Sequence, residues 1–435
     1  MSLSTQPYKG ARDFYPEDKR LQKYLFNTMR SVVERYGYEE YDAPILEPTD
    51  LFLVKGNEEI IDSQTYTFTD RGDRSVTVRT EMTPSVSRMV AGRRQELAYP
   101  LRWYSVPNLW RYERMQRGRL REFWQLNVDM FGVGGLEADH EIITVADSIL
   151  RAFGAKTDMY TVNINSRTLM NYIFDMYLGV DEVQAQTISR IIDRIQKITP
   201  DEFAVQVDAV LTPAQREKDI DKKIVELMKV KKLDQLPIQI QHHSSYLDMV
   251  HLFEMLATSK VSNAQYDITI MRGFDYYTDV VFEIFDTNPE NNRAMFGGGR
   301  YDGMVGLFGV EPVPTTGFGM GDVTLQNFLV SHNLLPELAV ETEIYVVLND
   351  DCYEQTIKLC ADLRNMGVSV AIDSSGRKSD KQLKTAYKKH IPYVLFISKQ
   401  DLEQQLYRLR NMKSGEDNTY SLERIVTHIK DYRTK

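Results

Sequence analysis

The sequence predicts an α+β protein: an antiparallel-sheet domain carrying a helical insertion, followed by a small α/β domain. Three observations predict it. Residues 121–130 alternate with period two, so Arg121, Phe123, Gln125, Asn127 and Asp129 share one face and Trp124, Leu126, Val128 and Met130 the other. Between about 166 and 262 the apolar pattern becomes helical, with a charged middle (REKDIDKKIVELMKVKKLD), and strands resume after it. Beyond PELAVETE (336–343), strand and helix patterns alternate to the C-terminus, which implies a parallel or mixed sheet flanked by helices. The expected domains are therefore 1–335, with the insertion, and 341–435.

Taken in order, residues 17–37 read as a helix closed by Gly37, with Leu21, Tyr24, Leu25, Thr28 and Val32 on its apolar side. The segment YEEYDAPILEPTDLF follows, and Pro44 and Pro48 confine it to an edge strand or arm suited to pairing with a second chain. A hairpin is expected over 66–81, turning at Arg71-Gly72. PLRWYSVPNLWRYER and RLREFWQLNVDMFG form a second hairpin around an arginine-rich loop, and 137–153 is helical. After the insertion, strands are expected from YDITIMRGFDYYTDVVFEIFD onward, ending with GGGRYDGMVGLFG and TTGFGMGDVTLQNFL as a strand and a buried helix. The run Gly297–Gly299 reads as a tight turn or a close-packed strand.

The composition, 42% hydrophobic and 26% charged, is that of a globular chain without low-complexity tracts. No run approaches a membrane span and MSLSTQPYKG carries no signal-peptide core, so a cytoplasmic location with no membrane partner is expected. Two cysteines and seven scattered histidines match no zinc spacing, and no metal site is expected. The net charge of −9 is uneven. Residues 341–435 hold sixteen Lys and Arg against fourteen Asp and Glu, and Gly376–Lys389 alone carries six positive charges against one negative. A basic end on an acidic body points to a polyanion partner.

RYERMQRGRLRE (111–122) places five arginines over the polar face of the 121–130 strand, where they could hold phosphates. There is no GxxxxGK[ST], and GFGMGD (317–322) lacks GxGxxG spacing. A nucleotide bound here would be held by arginines on an antiparallel sheet.

Taken together, these segments resemble histidyl-tRNA synthetase, a class II aminoacyl-tRNA synthetase family, from about Tyr8 to the C-terminus. KGARDFYPED resembles the family's opening, the Pro44 arm its motif 1, and WRYERMQRGRLREFWQ its motif 2. MRGFDYYT (271–278) and FGGGRYDGMV (296–305) resemble two histidine-specific motifs. The resemblance implies a homodimer that uses ATP with Mg²⁺ to join L-histidine to tRNA-His through a histidyl-adenylate. It implies that Glu81 and Thr83, read as two positions on one strand face, hold the histidine ammonium, and that Arg111 and Arg272 are catalytic cations at the α-phosphate. It further implies that Gln125, Asp129, Tyr276 and Tyr277 bind histidine and that Phe123 stacks on adenine. Arg119 and Arg121 would face ATP phosphates, while Arg114 and Gln116 reach the tRNA acceptor end. The C-terminal segment resembles the family's anticodon-binding domain, so Arg377, Lys378, Lys381 and Lys384 are expected to meet the tRNA backbone.

One departure stands out. Thr324 occupies the ATP-site position where the family's third motif carries an arginine for the γ-phosphate, with Asp322 two residues earlier. A second reading therefore stays open: a catalytically silent relative that senses histidine as the regulatory subunit of ATP phosphoribosyltransferase. That relative usually lacks the C-terminal domain and erodes the Arg-Gly-x-x-Tyr-Tyr segment, whereas this chain keeps both. A class II synthetase for proline or threonine would lack MRGFDYYT.

Overall fold

In chain order the strands of the first part are β1 (Glu39–Glu40), β2 (Leu46–Pro48), β3 (Tyr66–Thr69), β4 (Ser75–Val78), β5 (Leu101–Ser105), β6 (Asn108–Trp110), β7 (Glu122–Phe131), β8 (Tyr160–Ser166), β9 (Ala264–Tyr266), β10 (Val280–Asp286), β11 (Ala294–Arg300) and β12 (Thr315–Gly321). The computed structural model describes residues 3–53, 64–271, 276–291 and 293–433. It divides into two compact units, Met1–Leu335 and Pro336–Lys435.

Among the described residues of the first unit, nine strands form one sheet in the order β1-β5-β7-β12-β11-β10-β8-β9, with β6 also on β7. The interior pairs are antiparallel, but β1–β5 and β8–β9 are parallel, a feature the alternation pattern does not reveal. β5 and β6 follow each other along β7, and the carbonyl of Pro107 between them still accepts from the Gln125 amide. One face of the sheet is apolar. Leu126, Val128, Met130, Phe282, Phe318 and Met320 pack there under the helices Pro16–Arg35, Leu136–Ala152 and Asp322–Ser331. The opposite face of β7 is left to polar groups, as its period-two pattern requires.

Local chemistry sets the boundaries. Pro16 opens the first helix and Gly37, at φ +82°, follows its end. In the insertion the caps are legible in sequence: Ser166, Asp181, Thr199 and Thr212 each accept a hydrogen bond from an amide of the helix they start. The insertion therefore folds as short capped helices between two paired strands, β8 and β9.

Two local expectations are corrected. RTEMT is not strand: β4 stops at Val78, and Thr83 is the first residue of the helix Thr83–Gly92. Pro84 explains this, since it lacks the amide a strand ladder needs yet fits the first helical turn. Nor do strands resume continuously after the insertion. Among the described residues only Ala264–Tyr266 is extended before β10 begins at Val280.

A separate three-stranded antiparallel sheet, β2-β4-β3, carries the proline arm at its edge. The second unit holds strands β13 (Ile344–Leu348), β14 (Val370–Ile372), β15 (Tyr393–Ile397), β16 (Tyr407–Asn411) and β17 (Asp417–Tyr420) in the order β14-β13-β15-β16-β17. Its first three strands are parallel and its last two add an antiparallel hairpin. Buried Gln382 fixes the basic helix Ser379–Lys388 to β13, accepting from the Leu348 amide at 3.0 Å.

Candidate active site

The polar face of β7 continues onto strands that have no side chains there. Gly317 lies opposite Asp129, Gly319 opposite Asn127 and Gly321 opposite Gln125, and Gly299 and Gly297 lie opposite Gly317 and Gly319. Directly opposed residues share a face, so β11 and β12 present bare backbone beside Gln125 and Asp129. A methyl at Gly319 would sit 2.4 Å from the Gln125 amide nitrogen, and one at Gly317 would sit 2.4 Å from an Asp129 carboxylate oxygen. These glycines make room for the Gln125 and Asp129 side chains to lie across the sheet.

At one end of this floor is a buried cluster of two carboxylates and three tyrosines. Glu81 is 6% exposed and Asp129 4%. The hydroxyl of buried Tyr276 donates to Glu81 Oε2 at 3.3 Å and lies 3.5 Å from Thr83 Oγ1. Glu81 and Thr83 do converge, therefore, but across a loop-to-helix junction. Asp129 accepts from Tyr301 and, at 3.4 Å, from Tyr41. Tyr276, Tyr277 and Tyr301 meet edge to face with centroids 5.0 to 6.3 Å apart. Burial pushes the Glu81 carboxyl up to about 7, opposed by the nearby Arg111 guanidinium. Burial likewise raises Asp129 to about 7, opposed by its bonds from Tyr301 and Tyr41. Two acids that burial raises to near neutrality, each bonded by a tyrosine hydroxyl, suit a small, polar, partly cationic ligand.

Next to it opens a cavity of about 1550 Å³. Arg111, Gln116, Arg117, Arg119 and Thr324 line it. Arg111 is anchored by Nε to the Thr80 carbonyl at 3.0 Å, one residue before Glu81, and stands 5.3 Å over the Phe123 ring. Arg119 pairs with Glu113 at 3.0 Å, and Arg117 with Glu290 at 3.2 Å. Thr324 spends its hydroxyl on the Met295 and Gly321 carbonyls, at 2.8 and 3.1 Å.

The structure does not bring every expected residue here. Arg121 turns the other way: its guanidinium stacks 3.7 Å from the Tyr112 ring and donates to the Tyr8 hydroxyl. It lines a second, smaller cavity of about 370 Å³ together with Arg114. The cause is that Arg121 precedes β7, where its amide and that of Glu122 both bond to the Gly10 carbonyl. Arg272 lies outside the described residues. Asp322 is a buried acid paired with Arg12 at 2.7 Å and accepts from the Trp124 amide. In the second unit, Lys378, Lys381 and Lys384 are exposed, while Arg377 pairs with Asp373 at 3.0 Å.

Sequence reasoning missed Tyr41, Tyr301 and Arg12. They lie 88, 172 and 310 residues from their carboxylate partners, so no local pattern links them.

A family model described as histidyl-tRNA synthetase matches residues 10–323, and one described as anticodon binding domain matches 343–432. A histidine–tRNA ligase of Leptospira biflexa is 43% identical over 437 aligned positions, covering 100% of this chain and 99% of the relative. One from Thermoplasma volcanium is 34% identical and covers 98% and 99%. Among solved structures, a histidyl-tRNA synthetase from Nostoc sp. PCC 7120 has the same fold, with a TM-score of 0.84 at 22% identity over 99% of this chain and all of that one.

Proposed function

The chain belongs to the histidyl-tRNA synthetase family, and we propose how its own residues divide the family's reaction, the ATP-dependent attachment of histidine to tRNA. Its architecture is accordingly a class II synthetase catalytic domain followed by an anticodon-binding domain. Glu81 and Thr83 take the histidine ammonium. Asp129, with Gln125 and Tyr276–Tyr277, takes the imidazole. The substrate carboxylate then lies toward Arg111, where one of its oxygens attacks the α-phosphorus of ATP in line. The bond to the bridging oxygen breaks and pyrophosphate leaves. The tRNA terminal hydroxyl next attacks the acyl carbonyl, and AMP departs.

No side chain becomes covalently attached, so catalysis rests on placement and on fixed cations, Arg111 and, from the family resemblance, Arg272. Phe123 supplies the adenine face, and Arg119 and Gln116 the loop contacts to phosphate and acceptor end. Among the described residues no group of three or more His, Cys, Asp or Glu gathers as a metal site. We take Mg²⁺ to enter with the nucleotide substrate, as the family resemblance implies.

Support for this reading comes chiefly from one observation: Arg111, which lines the cationic cavity, bonds through Nε to the Thr80 carbonyl, next to the buried Glu81 of the two-carboxylate cluster. Histidine-dependent exchange between ATP and pyrophosphate tests it. A protein that binds histidine yet exchanges nothing at saturating MgATP would instead be the histidine-sensing regulatory subunit. On the same footing we place tRNA-His on the exposed Lys378, Lys381 and Lys384 and on Arg377, and the reaction in the cytoplasm. Ile45, Leu46 and Phe68 are 53%, 47% and 48% exposed on the three-stranded sheet, an apolar surface suited to a homodimer contact.

A further inference from the structure

We propose that Arg293 is the cation that holds the terminal phosphate of ATP, a task that neutral Thr324 cannot perform; the proposal rests on the adenylation reading above. The terminal phosphate carries the densest charge of the triphosphate and leaves within pyrophosphate, so a cation there favours both nucleotide binding and departure of the leaving group.

The cavity wall formed by the helix Asp322–Ser331 offers Thr324 and Asn327, both neutral. The Thr324 hydroxyl is already committed to two backbone carbonyls. Its methyl faces the tip of the arginine loop: a Cβ at Gly118 would lie 3.3 Å from Thr324 Cγ2. The loop thus occupies the space that a long side chain at 324 would need. A cation must come from elsewhere.

Arg117 and Arg119 are engaged by Glu290 and Glu113, and Arg111 is tied to the Thr80 carbonyl at the amino-acid end. Arg293 differs. It is exposed, lines the same cavity and makes no ion pair among the described residues. Its backbone also adjoins the segment that anchors Thr324. It lies two residues before Met295, whose carbonyl is the anchor of Thr324, and directly before β11. The other cations lining the cavity, Arg167, Arg190 and Lys197, stand on the insertion or at its start, on elements not bonded to the Thr324 turn among the described residues.

The test is calorimetric binding of MgATP and of AMP to the full chain and to Arg293→Ala, Arg293→Lys and Arg190→Ala. Because Arg293 is an exposed surface residue, unchanged thermal melting of the variants is expected and checks the fold. Arg293→Ala should weaken ATP by roughly tenfold to a hundredfold, the worth of one charge-assisted contact. AMP and histidine binding should not change, and Arg293→Lys should recover part of the loss. In exchange assays the KM values for ATP and for pyrophosphate should rise together. An unchanged ratio of ATP to AMP affinity in Arg293→Ala would overturn the assignment, as would a selective loss of ATP in Arg190→Ala alone. Wild-type protein that binds ATP in preference to AMP but never exchanges pyrophosphate would overturn the adenylation reading instead.

Discussion

On β7 and its neighbours, Asp129 is 4% exposed and Tyr301 2%, whereas on the loop feeding the same strand Arg119 and Arg117 are 50% and 53% exposed and pair with glutamates. The proposed amino-acid site is buried, and each acid already meets a tyrosine hydroxyl. The proposed phosphate cavity is open to solvent and lined by exposed ion pairs. In the pocket, losing one partner strands a buried polar group, at a cost of about 1–3 kcal/mol or more. In the cavity, an exposed ion pair is worth about 0–1 kcal/mol. The two regions should therefore answer mutation very differently, with the largest response where they join.

That junction is Arg111, which bonds to Thr80, lowers the Glu81 carboxyl and lines the cavity. Arg111→Ala should cut pyrophosphate exchange by on the order of a hundredfold to a thousandfold, the usual loss for one preorganised donor at developing charge. A loss confined to KM would mean that Arg111 binds substrate without favouring the transition state.

Gly317→Ala probes the buried side alone. The added methyl would meet Asp129 Oδ1 at 2.4 Å, the Val128 carbonyl at 2.6 Å and the Tyr301 hydroxyl at 2.9 Å. Two of these neighbours are polar groups of the pocket and one is backbone, so the strain cannot be relieved at a flexible tip. Histidine affinity should fall roughly tenfold to a hundredfold, as for overpacking of a well-fitted site, with ATP affinity kept. Equal losses for both ligands, measured by calorimetry, would erase the distinction between pocket and cavity.

Smaller in size, but with a definite sign, is the effect of pH. Burial holds the Glu81 carboxyl at about 7 in the free protein, opposed by Arg111. The histidine ammonium favours the ionised form, so bound substrate lowers that value and binding releases a proton near neutrality. Affinity should rise with pH, by roughly tenfold between pH 6 and 8. Glu81→Gln should remove the Glu81 part of this slope, leaving any part due to Asp129, which burial also raises to about 7, and proton release can be read from calorimetry in buffers of different ionisation heat. A slope of the opposite sign would remove Glu81 from the ammonium site.

How much of this was legible in sequence follows from the range of each contact. The polar face of β7 follows from a two-residue period, and the insertion helices from Ser, Asp and Thr caps one residue before each start. The glycines of β11 and β12 were visible as letters, but their use as a bare floor requires the cross-strand register. Tyr301 beside Asp129 and Arg12 beside Asp322 are products of chain crossing and carry no local signal. Arg121 misled because alternation was extended one residue past the strand, to a position tied to Gly10. Thr83 departs from the strand expectation because Pro84, which follows it, suits the first turn of a helix and not a strand ladder.

The smallest effect expected is at the latch between Arg117 and Glu290. Their ion pair joins the arginine loop to the 289–291 turn across the cavity, with both side chains more than half exposed. Solvent screens such a pair, so its rupture should change exchange by less than about fivefold. What it should change is the loop. Without Glu290, the contact of the Gly118 tip with Thr324 still seats the loop tip from outside, while the Arg119–Glu113 pair and the Gln116–Arg119 bridge lie within the loop itself. Glu290→Ala should therefore raise amide hydrogen exchange over 114–120 while leaving protection of β7 intact. Added salt should mimic the variant in wild-type protein, because screening weakens the same pair. If Glu290→Ala instead cost as much as Arg111→Ala, the cavity would be as tightly preorganised as the amino-acid pocket. The contrast between a buried region built by packing and an open one lined by charge would then have to be abandoned.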